Sequence, residues 1–355
     1  MNILVFCPNL VGDTVMATPA IRSLRAGFPD ARIVAVIKPK IAATLDGSPW
    51  FDARIGFDPR SKLADERFAR VLPRLRSERA DLAVLFPNSF RSAFAAWLSG
   101  AKRRIGYSRG GRGLLLTDRL EPKRDDRGRF VPSPIVDSYR AIVSKLGCPD
   151  DGPQLELFTT TEDEAGADRA WTRLGLRPSR PVVCLNTGGA FGPAKSWPEE
   201  HFARLAVGLV ERGHVSVLVV CGPGEREAAR SIVAQANRPE VVSLADEPLG
   251  IGLTKASIRR SALLITTDSG PRHFATGFDV PTLTLFGPTR IDWTLTYHPK
   301  ALHLYHPVPC GPCQKPRCPE GHHRCLRDLS ADPVLEAALS LVRGEGMTSE
   351  RIQAV

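Results

Sequence analysis

Lys195 is the one cation in NTGGAFGPAKSWP (186–198), where it follows a run of glycine, alanine and proline and precedes Trp197. A glycine-rich turn lets backbone N–H groups approach an oxyanion, and an ammonium beside them neutralises negative charge as it builds. Thr187, Gly188, Gly189, Gly192 and Pro193 around it favour that use over a solvated loop lysine. A second stretch, TTDSGPRHFA (266–275), follows an apolar run and sets Asp268, Ser269, Gly270 and His273 at the start of an expected helix. A serine hydroxyl and the unpaired N–H groups of a helix start make an anion site, although Asp and Ser also serve there as ordinary caps.

Three further stretches carry candidate chemistry. CGPGERE (221–227) offers Glu225 at a strand end, where a carboxylate either grips ribose hydroxyls or simply faces solvent. LVGDTVMATPAIRSL (10–24) places Asp13 ahead of an amphipathic helix whose apolar positions are Val15, Met16, Ala20, Ile21 and Leu24. Asp13 fits both a helix cap and a general base that takes a hydroxyl proton. CGPCQKPRCPEGHHRC (310–325) gathers Cys310, Cys313, Cys318 and Cys325 with His322 and His323. A C-x2-C start with two more thiols is compatible with a structural zinc, yet the spacing is not that of a standard finger, and free thiols or disulfides stay open.

Such groups need a scaffold that delivers them to strand ends. The first half repeats a strand, loop and helix grammar in NILVFCP, ARIVAVIKP and ADLAVLFPN, each followed by a helical pattern, and a helix over VDSYRAIVSKLG closes it. Short apolar runs alternating with helices predict parallel strands buried on both faces. The Gly- and Arg-rich stretch from Arg103 reads as loop with an edge strand. A helix from about Glu162 to Leu174 and a Pro-rich joint mark the expected boundary, dividing the chain into residues 1–176 and 177–355. The grammar then restarts with PVVCLNTGG, VSVLVVCGPG, VVSLAD, ALLITTDSG and PTLTLFGP. Two Rossmann-like α/β domains facing a central cleft follow, with ligands at the carboxyl ends of their strands.

Length and composition agree with two cores: 355 residues, 43% of them hydrophobic. A net charge of +10 points to anionic partners, whether nucleic acid, a membrane surface or phosphorylated small molecules. Aromatics at 7% are not interleaved with the basic residues as base-stacking platforms would be, which argues against nucleic acid. The first strand lacks the glycine fingerprint of a dinucleotide fold, which argues against an oxidoreductase. No basic leader precedes the first apolar run, and eight cysteines without a secretory signal fit a reducing, cytoplasmic compartment.

In chain order, VGDTVMATPA, LFPNSFRSA, FGPAKSWP, TDSGPRHFA and PTLTLFGPT together resemble glycosyltransferase family nine, the lipopolysaccharide heptosyltransferases, and within it the heptosyltransferase II group. The resemblance implies a GT-B fold, an acceptor-binding first half and a donor-binding second half. It implies an ADP-heptose donor, a heptosyl-Kdo-lipid A acceptor, inversion at the anomeric carbon and no cofactor for catalysis. Carried over by position, Asp13 is the base, Lys195 the diphosphate partner and Thr187 a further phosphate contact, with Gly188 also in the donor-binding set. Glu225 holds ribose, Leu249 lies along the adenine, and Asp268, Ser269, Gly270 and His273 line the diphosphate and heptose. Asn88, Ser89 and Arg91 are the expected acceptor residues.

The implied acceptor also gives a purpose to the basic residues Lys38, Lys40, Arg60, Lys62, Arg91, Lys102, Arg103, Arg104, Arg109 and Arg112, about half of which would simply be solvated. Peripheral contact with the inner face of the inner membrane follows. A nucleotide-sugar epimerase on the same fold is the competing enzyme, but it needs no basic acceptor half.

Overall fold

The computed structural model describes residues 1–189 and 191–355. The chain forms two compact units, Met1–Phe158 with Asp292–Thr294, and Thr159–Ile291 with Leu295–Val355. The division falls before the helix Thr161–Arg173 rather than at the Pro-rich joint after it. That helix buries Ala167, Ala170 and Trp171. Trp171 Nε1 donates to Ser257 Oγ at 3.3 Å, and Glu164 pairs with Arg259 and Arg260 at 2.8 and 2.5 Å. Its partners are therefore residues of the second unit.

The first unit holds a six-stranded sheet of β1 (Asn2–Phe6), β2 (Arg32–Ile37), β3 (Ala53–Gly56), β4 (Leu82–Leu85), β5 (Arg103–Tyr107) and β6 (Asp118–Leu120). Its order is β3-β2-β1-β4-β5-β6, and every pairing is parallel. Parallel strands require crossovers, and the helices that supply them cover both faces, so ILVF and LAVL are apolar throughout. Leu4, Phe6, Val34, Val36 and Leu85 form part of one cluster beneath those helices.

The expected first helix is split into Val11–Met16 and Thr18–Gly27. Pro19 has no N–H to give to the carbonyl of Val15, and the Thr18 hydroxyl donates there instead at 2.7 Å. Leu10 is the N-cap of the first piece and makes no side-chain cap bond, which leaves Asp13 inside the first turn. Asp13 is therefore at the third helical position and is not the N-cap residue.

The second unit holds β7 (Val182–Asn186), β8 (Ser216–Val220), β9 (Val241–Ser243), β10 (Leu263–Thr267), β11 (Thr282–Phe286), β12 (Ala301–Tyr305) and β13 (Arg351–Ala354). They run β13-β12-β11-β10-β7-β8-β9, again all parallel. β7 and β10 are sheet neighbours, so the segments leaving their carboxyl ends, with Thr187 and Asp268, emerge side by side. Among the described residues no helix is long and apolar enough to cross a membrane.

Candidate functional site

Asn186 ends β7 opposite Thr266 of β10, and it knits the two strand ends together. Its Nδ2 lies 3.0 Å from Gly188 O, 3.0 Å from Thr266 Oγ1 and 2.9 Å from Ser269 Oγ, so its two hydrogens are shared among three acceptors. Sequence reading passed over Asn186; the available signal was a polar residue closing an apolar strand. Because Ser269 Oγ turns to Asn186 and Thr266, Ser269 makes no side-chain cap bond for the helix Gly270–Gly277 that it begins. The N–H groups of that first turn have no partner within the helix.

Lys195, in a tight turn over Pro193–Lys195, reaches the same place. Its Nζ donates to Asp268 Oδ2 at 2.5 Å and to Asp268 O at 2.8 Å, and it sits 4.6 Å from the centre of the Phe191 ring. Thr289 Oγ1 donates to the same carboxylate oxygen at 2.7 Å, while Arg272 meets Oδ1 at 3.3 Å. Burial alone would raise the Asp268 pKa, but the charges of Lys195 and Arg272 outweigh it and hold the carboxyl at about 2. Two of the three ammonium hydrogens are thus committed to Asp268, with the Phe191 ring beside the group. Arg272 is fully buried and continues to Glu350 at 3.7 Å, and Glu350 accepts from His303 Nε2 at 2.7 Å.

Around this pair several buried polar atoms lack a partner among the described residues: Thr187 Oγ1, Thr267 Oγ1 and His273 Nδ1. Burial, then the Arg272 charge, pushes the His273 pKa down to about 3, so its ring is neutral near pH 7. Buried hydroxyls left open in this way are what a bound oxyanion satisfies. Glu225 comes from beyond β8, where its Oε2 accepts the Gly222 N–H at 2.7 Å. Its side chain fills the space that a Cβ on Gly188 would need, which explains glycine there. Gly189 packs on Ser269, with 3.0 Å available to an added Cβ. Leu249 is half-buried against the unit's core.

In the first unit Asp13 is half-buried. Tyr139, pushed well up by burial, is pushed further by the charge of Asp13, which places the two in electrostatic reach. Ser89 is the N-cap of the helix Phe90–Leu98 and accepts from Ser92 N at 3.2 Å. Asn88 Oδ1 accepts from Arg112 at 3.0 Å, and Arg91 is exposed. Arg112 corrects the expectation of a surface cation: it is wholly buried, gives its other donors to Pro87 O and Tyr107 O, and has its pKa lowered to about 10 by burial and then by Arg109. Lys102 and Arg103 pair with Asp81 and Asp118, each at 2.8 Å. Arg104 bonds the carbonyls of Leu115 and Ala101, and Arg109 lies 4.0 Å over the Phe130 ring.

The cysteine segment folds back on the Lys195 turn. Cys310 Sγ is 3.8 Å from His322 Nε2, and the His323 N–H points to Cys318 Sγ at 3.4 Å. Burial, then the neighbouring Cys313, Cys318 and Cys310, pushes the Cys325 thiol up to about 11. Among the described residues no group of three or more His, Cys, Asp or Glu side chains is arranged to hold a metal ion.

A family model described as glycosyltransferase family 9 (heptosyltransferase) matches residues 68–324. The lipopolysaccharide heptosyltransferase 2 of Salmonella typhimurium is 29% identical, over 98% of this chain and all of that one. The solved structure of the Escherichia coli ADP-heptose LPS heptosyltransferase II superposes with a TM-score of 0.77 at 27% identity, covering 97% of this chain and 99% of the other. A family 9 glycosyltransferase structure from Veillonella parvula gives a TM-score of 0.84 at 24% identity, over 97% and 98%. With two parallel sheets and these neighbours, the α/β fold is of the GT-B type.

Proposed function

The chain belongs to glycosyltransferase family 9, and on that premise we propose that it transfers L-glycero-D-manno-heptose from ADP-heptose to the heptosyl-Kdo-lipid A inner core of lipopolysaccharide, with inversion. The observation that carries the donor assignment is the Lys195–Asp268 pair at the open start of the helix Gly270–Gly277, ringed by unpartnered buried hydroxyls. Asp13 takes the proton of the acceptor hydroxyl as that oxygen attacks the anomeric carbon. The bond to ADP breaks on the opposite side and its electron pair leaves with the diphosphate. The Lys195 ammonium and the N–H groups of the helix start meet the charge that appears there. Glu225 holds the ribose and Leu249 flanks the adenine. No step is routed through a metal.

Of the three acceptor candidates, Arg91 is the exposed cation, while Asn88 and Ser89 already spend a side-chain oxygen internally. Phe90, Phe94 and Trp97 stack along one stripe of the same helix at 6.0 and 5.9 Å, with Phe90 52% and Trp97 48% exposed. Phe68, on the neighbouring helix Phe68–Ser77, stacks on Phe94, and that helix carries the exposed Arg70 and Arg74. Half-exposed aromatics beside free cations suit an anionic bilayer surface, so we place peripheral contact with the cytoplasmic face of the inner membrane here. A structural zinc on Cys310, Cys313, Cys318 and Cys325 is kept as a separate proposal, tested by metal content of the purified protein.

The deciding experiment incubates the protein with ADP-heptose and a mono-heptosylated Kdo-lipid A, following ADP release and acceptor mass together. A gain of one heptose supports the assignment. ADP release without any change in acceptor mass, or an unchanged donor, overturns it.

A further inference from the structure

The cysteine segment touches the Lys195 turn at the peptide groups on both sides of the preceding residue. Ala194 N donates to Pro316 O at 3.1 Å, and Ala194 O accepts from His323 Nε2 at 2.6 Å. Gly192, three residues before the lysine, has φ +138°, and a Cβ on it would lie 2.6 Å from Pro316 O. These contacts are independent of the Asp268 pair, which holds only the tip of the lysine. Four methylene groups separate that tip from the backbone, so a salt bridge by itself leaves the turn free to shift. With the backbone gripped at Ala194 and the tip gripped at Asp268, the ammonium has one position.

His323 is itself held by Cys318. Its backbone is left-handed at φ 53°, and its N–H is directed to Cys318 Sγ. Ala194 and Pro288 line a cavity of about 10 Å³ together with Cys310, Cys313, Cys318 and Cys325. That is about one water's worth of space, so the turn and the segment are in near contact along this face.

We propose that His323 is a positioning residue for Lys195: the segment 316–323 acts as a brace that fixes the turn, and it affects transfer only through the lysine. This rests on the role proposed above for Lys195. The brace meets the turn at its backbone, through Ala194.

The test is a double-mutant cycle on transfer kinetics. H323N tolerates a left-handed backbone but is too short to reach Ala194 O, whereas H323Q offers an amide N–H at a reach similar to that of the imidazole. H323N should lower kcat about tenfold with acceptor KM unchanged, and H323Q should recover most of the loss. The double variant H323N/K195A should be no slower than K195A alone. Wild-type kcat in H323N, or losses that multiply in the double variant, would overturn the brace. If K195A itself retains wild-type kinetics, the role of Lys195 fails first and the cycle reads no coupling for that reason. Thermal melts of each variant separate these outcomes from unfolding, and H323Q supplies the folded comparison should H323N melt early.

Discussion

Lys195 Nζ touches Asp268 twice, at the carboxylate and at the carbonyl of the same residue. A lysine meant only to meet a diphosphate would be free in its absence. This one is held ready, so little side-chain ordering is left to the moment of binding, and its charge is aimed before the leaving group forms. Asp268 in turn faces Arg272, which keeps one carboxylate between two cations inside a buried site.

Removing either member should therefore have different consequences. K195A should cost 10²–10³-fold in kcat, on the scale of one lost oxyanion donor, with modest loss of stability. D268N leaves Lys195 and the buried Arg272 facing a neutral amide, and it should destabilise the fold by about 3 kcal/mol or more as well as reduce turnover. Denaturant midpoints and transfer rates on both variants check this; a D268N as stable as wild type would contradict it.

D13N keeps the size and place of the side chain and removes its basicity. Transfer should fall by at least about 10²-fold, the lower range for a general base, while ADP binding in the second unit stays unchanged. Calorimetric titration with ADP beside a transfer assay reads both. Equal loss of binding and transfer would make Asp13 structural.

Acid should weaken the protein in two overlapping windows. His303 is held neutral to about pH 4 by burial and then by Arg272, whereas the unfolded chain protonates it near 6.5. Below pH 6.5 the unfolded state therefore binds more protons, so stability falls with falling pH until about pH 4, by about 3 kcal/mol in all. His273 adds a loss of the same sign down to about pH 3. Asp268 has its folded pKa depressed to about 2, so its contribution is complete above about pH 4 and is lost only below that. H303Q, which can still donate to Glu350, should flatten the pH 6.5 to 4 slope of the urea midpoint; an unaltered slope would refute the assignment.

Much of this was legible because parallel α/β sheets write themselves as apolar runs and place chemistry at the run ends. TTDSG and CGPGE could be placed at strand ends from residue types alone. Asn186 was missed because its work is to bind three acceptors that lie 2, 80 and 83 positions away, a relation visible only once β7 and β10 pair. Arg112 was misplaced because a charged residue in a glycine-rich loop reads as surface, whereas the carbonyls that hold it belong to Pro87 and Tyr107. The split at Ala17 was readable in Thr18-Pro19, and the early domain division was not, since it depends on which unit buries Trp171.

Gly188 offers the sharpest separation of donor binding from folding. Its missing Cβ is the space taken by the Glu225 carboxyl, a flexible side-chain end that can move aside at small cost. G188A should therefore fold with near wild-type stability and swing Glu225 away from its place beside the turn. If Glu225 grips the ribose, then G188A and E225A should raise the ADP-heptose KM by a similar factor, about tenfold for one lost charged hydrogen bond of some 1.5 kcal/mol. The double variant should be no worse than either, since both remove the same contact. Wild-type KM in G188A would mean that Glu225 has another partner, and multiplied losses would mean that Gly188 serves the donor by its own backbone instead.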